Sequence, residues 1–194
     1  MNVLKKNILA VIDAQHSMLA DDGLMSLFEQ ATSHVVACYQ KGGRLYIAGN
    51  GGSAADSQHL AAEFVSKLAR DRNPLPAEAL TTDSSILTAI ANDYGFEKVF
   101  SRQLAGKLQA NDVFLGITTS GHSLNIIKAL EECKSRGVKT IVFTGRDGGR
   151  AQAIADYCII VPGSATSTIQ ELHILLAHTL CETVESVLFP IREN

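Results

Sequence analysis

Residues 44–53 read RLYIAGNGGS, and this stretch decides the fold class of the chain. The apolar run Arg44–Ala48 has the length and composition of a strand, a glycine-rich turn follows it at once, and a helical pattern begins near Ser53. Four more runs of strand length alternate with helical stretches downstream: Ala77–Thr81, Val113–Thr118, Lys139–Thr144 and Tyr157–Val161. Strands separated by helices predict a five-stranded parallel sheet flanked by helices on both faces.

Helical patterns lie on either side of this alternating region. Residues 2–41 show apolar positions at helical spacing with a break at Asp21-Asp22-Gly23, which predicts two helices. The last helix is predicted from about Thr168 to Leu188, ahead of Pro190. With 194 residues we expect one domain over 1–194, with N-terminal helices over 1–41 and the sheet core and C-terminal helix over 42–194. The two N-terminal helices and the last helix are more than is needed to cover both faces of a five-stranded sheet. We therefore expect a homo-oligomer whose copies pack through helices.

Composition and charge limit the classes of protein to which this chain can belong. The net charge of −3 offers no general attraction to nucleic acid, and no segment approaches the roughly 18 apolar residues that a membrane helix needs. The four cysteines form no pair with zinc-site spacing, which indicates buried thiols in a reducing compartment. The N-terminus lacks the features of a signal peptide. We therefore expect a cytoplasmic protein with neither nucleic acid nor membrane as its partner.

Two loops at strand ends carry the candidate binding chemistry. The first is Ala48-Gly49-Asn50-Gly51-Gly52-Ser53, where glycines allow close backbone approach and polar side chains offer hydrogen bonds, although an ordinary tight turn is the alternative. The second is Thr118-Thr119-Ser120-Gly121-His122-Ser123, at the start of a helix. Hydroxyls and amide N–H groups at a helix N-terminus favour an anion such as phosphate. Ordinary N-capping by Ser123 is the alternative.

Two helices carry candidate metal ligands and proton-transfer groups. His59 and Glu63 lie four residues apart on the helix that follows the glycine-rich loop, so they share a face and could bind a metal or transfer protons, or form an ordinary surface contact. The last helix places Gln170, Glu171, His173 and His178 among apolar residues. Glu171 and His178 share a face, whereas Gln170 and His178 do not align cleanly. We interpret His173 as a hydrogen-bonded core or interface residue.

Taken in order, five blocks of this sequence resemble the phosphoheptose isomerases, which have a sugar-isomerase (SIS) domain of the flavodoxin-like, three-layer type. The blocks are AGNGGSAADSQHLAAEF, LTTDSSILTAIANDYGFEKVFSRQ, GITTSGHS, FTGRDGG and IQELHILLAH. The resemblance covers essentially the whole chain. It implies an aldose–ketose isomerase that converts D-sedoheptulose 7-phosphate to D-glycero-D-manno-heptose 7-phosphate through an enediol, and a homotetramer.

The resemblance also assigns roles to residues by position. It implies a zinc ion held by His59, Glu63, Gln170 and His178, with Glu63 and His178 as the proton-transfer pair; whether one carboxylate can serve both roles is open. Its substrate contacts, several of them to phosphate, are Asn50, Gly51, Gly52, Ser53, Glu63, Asn92, Asp93, Thr118, Thr119, Ser120, Ser123 and Gln170.

Two departures and two alternatives accompany this interpretation. Thr118 stands where many relatives have serine, and Thr168 stands where they often have a cation, which bears on substrate choice. The DiaA-type replication regulators, which bind the initiator DnaA, are similar over their length and share the ending Leu188-Phe189-Pro190, but they lack the groups found here at Glu63 and His178. The second alternative is an isomerase or sensor for another sugar phosphate.

Overall fold

The computed structural model describes residues 2–190. Its five strands are β1 (Leu45–Gly49), β2 (Ala77–Ala79), β3 (Val113–Thr118), β4 (Lys139–Gly145) and β5 (Tyr157–Val161). All are paired in parallel, in the order β2-β1-β3-β4-β5. The predicted five-stranded parallel sheet is confirmed. Because the chain moves outward from β1 in both directions, the carboxyl ends of β1 and β3 border the crevice where ligands bind in such sheets.

Residues 2–190 also form seven α-helices. They are α1 (Val3–Leu19), α2 (Asp22–Gln40), α3 (Gly52–Val65), α4 (Ser84–Tyr94), α5 (Ser101–Lys107), α6 (Leu124–Ser135) and α7 (Thr166–Leu188). The predicted break at Asp21-Asp22-Gly23 lies one to two residues too late, because Asp21 caps α2 by accepting a 2.9 Å bond from the Leu24 N–H, and Gly23 lies inside the helix. Within residues 2–190, no helix is both long and apolar enough to span a bilayer.

Alternating side chains of the strands build one core on each face of the sheet. Leu45 and Ile47 of β1 lie in the core shared with α1, α2, α3 and α7, whereas Tyr46 and Ala48 lie in the core shared with α4, α5 and α6. Every residue of β1, β3 and most of β4 is buried. Continuous burial explains why these strands are apolar without interruption, as in parallel sheets covered on both faces.

Helix α1 buries little of its apolar surface within the chain. Ala14 and Met18 are its only buried residues, whereas Val3, Leu4 and Ile8 are about half or more exposed. A row of exposed apolar side chains along one helix is typical of a surface that another protein covers.

His173 lies in the core beneath β4 without the hydrogen bonds that we expected of it. Its side chain is 1% exposed, its ring lies 6.2 Å from the Phe143 ring, and neither ring nitrogen has a hydrogen-bond partner of ordinary geometry among residues 2–190. Burial lowers the pKa of His173 to about 4, and the nearby Thr144 backbone offsets this only in part. The expectation of a core residue was right, whereas the expected hydrogen bond is reduced to a poorly aligned approach of the Thr144 backbone to the ring.

This buried imidazole should make stability depend on pH. Between its folded pKa of about 4 and the ordinary value of 6.5, the unfolded chain binds a proton that the folded chain does not. The free energy of unfolding should therefore fall by about 3 kcal/mol as the pH drops through that range. Urea unfolding of His173→Leu at pH 7 and pH 4.5 should show this loss largely removed. The exposed-site variant His16→Gln should keep it, and an unchanged pH dependence in His173→Leu would contradict the assignment.

Candidate active site

The loops that follow β1 and β3 meet at the carboxyl edge of the sheet. The Asn50 side-chain amide donates to Asn125 Oδ1 at 2.9 Å, and the Asn125 amide donates back to Asn50 Oδ1 at 2.8 Å. This reciprocal pair joins the glycine-rich loop to the first turn of α6 across 75 positions of sequence. The two loops that the sequence singled out therefore form one surface.

Asn125 is a residue of this edge that sequence reasoning missed. It is 3% exposed and lies between apolar neighbours at the start of α6. A lone amide inside an apolar stretch is the only signal in the sequence that could have drawn attention to it. The role of its partner Asn50 is clear only when the adjacency of β1 and β3 is known.

Three helices begin near this edge without side-chain caps. The N-termini of α3, α6 and α7, which follow β1, β3 and β5, have no side-chain cap hydrogen bond. Helices α1, α2 and α4 are capped by Asn2, Asp21 and Asp83, whereas α5, which follows no strand directly, also lacks a side-chain cap. Helix N-termini carry partial positive charge, so uncapped ones can receive an anion. In α3, however, the Ser53 and Ala54 N–H groups already bond the Asn50 and Gly51 carbonyls.

The hydroxyls of the 118–123 loop are not used to cap α6. Ser123 occupies the N-cap position, but its Oγ lies 3.0 Å from Thr118 Oγ1 and bonds no helix N–H group. The Ser120 hydroxyl accepts a 3.2 Å bond from the His122 N–H, and Thr119 and Ser120 are partly exposed. Capping by Ser123 was the alternative explanation of this loop, and it is wrong.

A second turn supports the 118–123 loop from behind. Gly121 has φ +67°, and its carbonyl accepts a 3.0 Å bond from the Ala151 N–H. A Cβ atom at Gly121 would overlap the Gly148 carbonyl. The turn after β4 also holds Arg146 at φ +57°. Close backbone contact between the two turns fixes the shape of the loop, and it explains why glycine is needed at Gly121.

His59, Glu63 and His178 converge where α3 packs against α7. Glu63 Oε1 lies 2.7 Å from His59 Nε2 and 3.4 Å from His178 Nε2, and the two imidazole nitrogens are 3.4 Å apart. The Glu63 side chain is only 12% exposed, whereas the two histidines are about half exposed. Position on separate helices prevents the sequence from showing that His178 faces the other two.

The donor atoms of this cluster fit a divalent metal ion. Two imidazole nitrogens and a carboxylate lie within 4.8 Å of one another, a set of ligands that zinc accepts. Glu63 Oε2 is buried and has no hydrogen-bond partner among residues 2–190. A buried carboxylate oxygen without a partner is costly, and a cation beside it would remove that cost. Nearby, burial raises the pKa of Asp56, which His59 partly opposes.

Gln170 lies against the glycine-rich loop. A Cβ atom at Gly52 would collide with Gln170 Nε2, so glycine at this position admits the side chain from α7. Gln170 is half-buried, whereas Glu171 is exposed and is absent from the metal-ligand cluster found among the described residues. Ser53 is buried at the start of α3.

The remaining predicted positions lie elsewhere. Asn92 and Asp93 are exposed at the end of α4, where the Asn92 amide donates to Asp93 Oδ1 at 2.8 Å, and no hydrogen bond within residues 2–190 joins them to the other site residues. Thr168 is 5% exposed and lies beneath Gly163, where an added Cβ would stand 3.2 Å from Thr168 Cγ2. Thr168, which stands where relatives often have a cationic side chain, is therefore packed in the core.

The five-stranded parallel sheet and the site at its carboxyl edge define a class of α/β protein. Comparison with known proteins shows the family within that class. A sequence profile of the SIS domain matches residues 8–145. The phosphoheptose isomerase of Aneurinibacillus thermoaerophilus is 50% identical over 186 residues, which cover 96% of this chain and 94% of the relative. The chain belongs to the phosphoheptose isomerase family of SIS-domain proteins.

Two solved structures are similar over nearly the whole chain. A phosphoheptose isomerase from Francisella tularensis superimposes with a TM-score of 0.90 at 35% identity, covering 96% of this chain and all of the other. The phosphoheptose isomerase GmhA from Neisseria gonorrhoeae gives a TM-score of 0.83 at 41% identity, covering 94% and 95%. These coverages leave no large part of either protein outside the shared fold.

Proposed function

We propose that this protein interconverts D-sedoheptulose 7-phosphate and D-glycero-D-manno-heptose 7-phosphate for bacterial heptose biosynthesis. The observation that carries the proposal is the convergence of His59 and Glu63 of α3 with His178 of α7, in a member of the phosphoheptose isomerase family. Family membership favours this sugar. The three groups supply the acid–base chemistry that an aldose–ketose isomerisation needs.

The phosphate would bind at the 118–123 loop and the uncapped start of α6. Thr118, Thr119, Ser120 and Ser123 offer hydroxyl donors there, and helix N–H groups complete the cradle. Asn50, Gly51, Gly52 and Ser53 would contact the sugar from the loop joined to this one by the amide pair. We keep Gln170 in this substrate set, as well as Asn92 and Asp93 at the end of α4.

Proton transfer would be the work of Glu63 and His178. The Glu63 carboxylate takes a proton from C1 of the ketose to give an enediol and returns a proton to C2, while His178 moves the proton between the two neighbouring oxygens. The Glu63 side chain is only 12% exposed, which limits the water that competes with the sugar for the carboxylate. In the metal-free site, His59 Nε2 lies 2.7 Å from Glu63 Oε1 and holds the carboxylate in one orientation.

Zinc is the cofactor we propose, with His59, Glu63, Gln170 and His178 as its ligands. The partnerless Glu63 Oε2 and the imidazole pair support this choice. When bound, zinc would act as a Lewis acid that stabilises the negative charge developing on the sugar oxygens.

The assay that tests the function follows sedoheptulose 7-phosphate by NMR in D₂O, with the protein as purified, after chelation and after zinc is restored. We expect conversion with deuterium entering the sugar carbons, loss of conversion on chelation and recovery with zinc. Fructose 6-phosphate and arabinose 5-phosphate serve as competing substrates. Absence of conversion under every metal condition, together with tight binding of DnaA, would instead identify a DiaA-type regulator.

We propose a homotetramer in the cytoplasm. The exposed apolar row of α1 supports assembly, and the four unpaired cysteines support a reducing compartment. Size-exclusion chromatography with light scattering should give four times the chain mass of 20.8 kDa. A monomer at micromolar concentration would contradict the assembly. We further propose that residues 1–194 form one domain.

A further inference from the structure

A buried ion pair lies between the helices that carry the candidate proton-transfer groups. Arg72, in the segment after α3, donates through Nε to Glu185 Oε1 of α7 at 2.9 Å. The exposed fractions of the two side chains are 2% and 1%. Neither residue belongs to the substrate or metal sets described above.

Arg72 closes the C-terminal end of α3. Its Nη2 donates to the Glu63 carbonyl at 2.8 Å, and its Nη1 donates to the carbonyls of Phe64 at 2.6 Å and Ser66 at 3.1 Å. The last carbonyls of a helix lack partners within the helix, and a cation there is favoured by the helix dipole. The guanidinium thus holds the backbone of Glu63 itself.

Glu185 continues the connection into α7. It lies seven residues after His178, so both side chains leave the same face of the helix. Its Oε1 also accepts a 3.1 Å bond from the Leu68 N–H, in the segment between α3 and β2. One carboxylate thus holds both the guanidinium and the chain that leads away from α3.

We infer that the Arg72–Glu185 pair is a positioning device for the reaction, which sets the distance between the Glu63 carboxylate on α3 and the His178 ring on α7. This inference rests on the proposed function for its effect on turnover, but its effect on geometry does not depend on that function. Stability alone gives little reason for the pair, because well-packed apolar residues often replace a buried ion pair at no cost in stability. Planar donors that reach several carbonyls at once fix backbone position in a way that apolar contacts do not.

The test uses Arg72→Lys, which keeps the charge but cannot bridge Glu185 and the carbonyls of α3 at once. We expect kcat to fall about tenfold to a hundredfold, since a displacement of about 1 Å at reacting groups can cost that much. KM should change by less than about threefold, because the phosphate loop lies on other elements. In metal-free protein labelled at histidine, the NMR contact between the His59 and His178 rings, whose centroids lie 5.2 Å apart, should weaken or disappear.

Asp112→Asn provides the matched control for loss of stability. Asp112 is a buried carboxylate before β3, at the opposite edge of the sheet, and it accepts bonds from the Arg44 and Gln109 N–H groups at 2.8 Å and 2.7 Å. This variant should lower Tm while keeping kcat and the ring contact. Arg72→Lys with a similar Tm, a wild-type kcat and a wild-type ring contact would overturn the inference.

A double variant covers the case in which Arg72→Lys does not fold. Arg72→Met with Glu185→Leu replaces both charges with apolar side chains, so no buried charge is left unpaired. We expect a folded protein with the same loss of kcat and ring contact, because the carbonyls of Glu63 and Phe64 still lose their donor. Wild-type kcat in this variant would overturn the inference. If the wild-type protein isomerises no sugar, the proposed function fails, but the contact between the His59 and His178 rings still tests the positioning role. Failure of the proposed function can therefore be told apart from failure of this inference.

Discussion

Glu63→Gln is expected to lower kcat by about 10²–10⁴-fold, the range that a positioned general acid or base contributes. Glutamine keeps the size of the side chain and its place beside His59, 2.7 Å away, but its amide cannot take a proton from carbon. Because the phosphate would be bound by residues of other elements, KM should change much less than kcat. Steady-state assays with sedoheptulose 7-phosphate at saturating zinc measure both constants.

Glu182→Gln is the control for this substitution. Glu182 is an exposed residue of α7, and the same change there should leave kcat unaltered. Circular dichroism and Tm establish that both variants are folded. Near-normal turnover by a folded Glu63→Gln protein would exclude Glu63 as the group that moves the proton. Zinc affinity, measured separately by competition with a chelator, reports on the role of Glu63 as a ligand.

Gly121→Ala is expected to damage both the stability of the fold and the binding of phosphate. The backbone at Gly121 has φ +67°, and the added Cβ would overlap the Gly148 carbonyl, which belongs to a packed turn and has little room to move. The left-handed backbone and the overlap with Gly148 should together lower the free energy of unfolding by about 2–4 kcal/mol. KM should rise about tenfold, the equivalent of about 1.4 kcal/mol of lost phosphate binding.

Gly137→Ala separates the two sources of strain. Gly137 has φ +69°, nearly the same value, but no atom lies within 4 Å of the position of its Cβ. Its loss of stability should be the roughly 1–2 kcal/mol of the left-handed backbone alone, with KM unchanged. Equal losses in the two variants, measured by urea unfolding, would show that the contact with Gly148 does not constrain the loop.

The sequence predicted β1, β3 and β4 well because burial on both faces makes them apolar without interruption. β3 and β5 have the predicted bounds, and β1 is displaced by one residue. β2 is shorter than predicted, since pairing ends at Ala79, although the Leu80 N–H still bonds the Ile47 carbonyl at 2.9 Å. Helix α7 begins two residues before the predicted Thr168. The sequence pattern alone does not give the order of the strands in the sheet. That order depends on which edges of the sheet the crossover helices leave free for the next strand.

The site was less accessible to sequence reasoning than the fold. Spacing along α3 placed His59 and Glu63 on one face, as a helix of 3.6 residues per turn requires. That His178 completes the cluster depends on how α3 and α7 pack, and that Asn50 pairs with Asn125 depends on the order of the strands. The bond that Ser123 makes with Thr118 was equally hidden, because hydroxyls can cap a helix or bond to each other with equal ease. The site roles themselves stay predictions.

The uncharged character of the 118–123 loop has a consequence for binding in different salt solutions. Hydroxyls at Thr118 and Ser123 and the helix N–H groups of α6 build the proposed phosphate cradle, the Asn50–Asn125 pair beside it is neutral, and Thr168 supplies no cation there. Salt weakens attraction between separate, solvent-exposed unit charges far more than it weakens hydrogen bonds to fixed dipoles at close range. The affinity for a phosphorylated sugar should therefore change little with ionic strength.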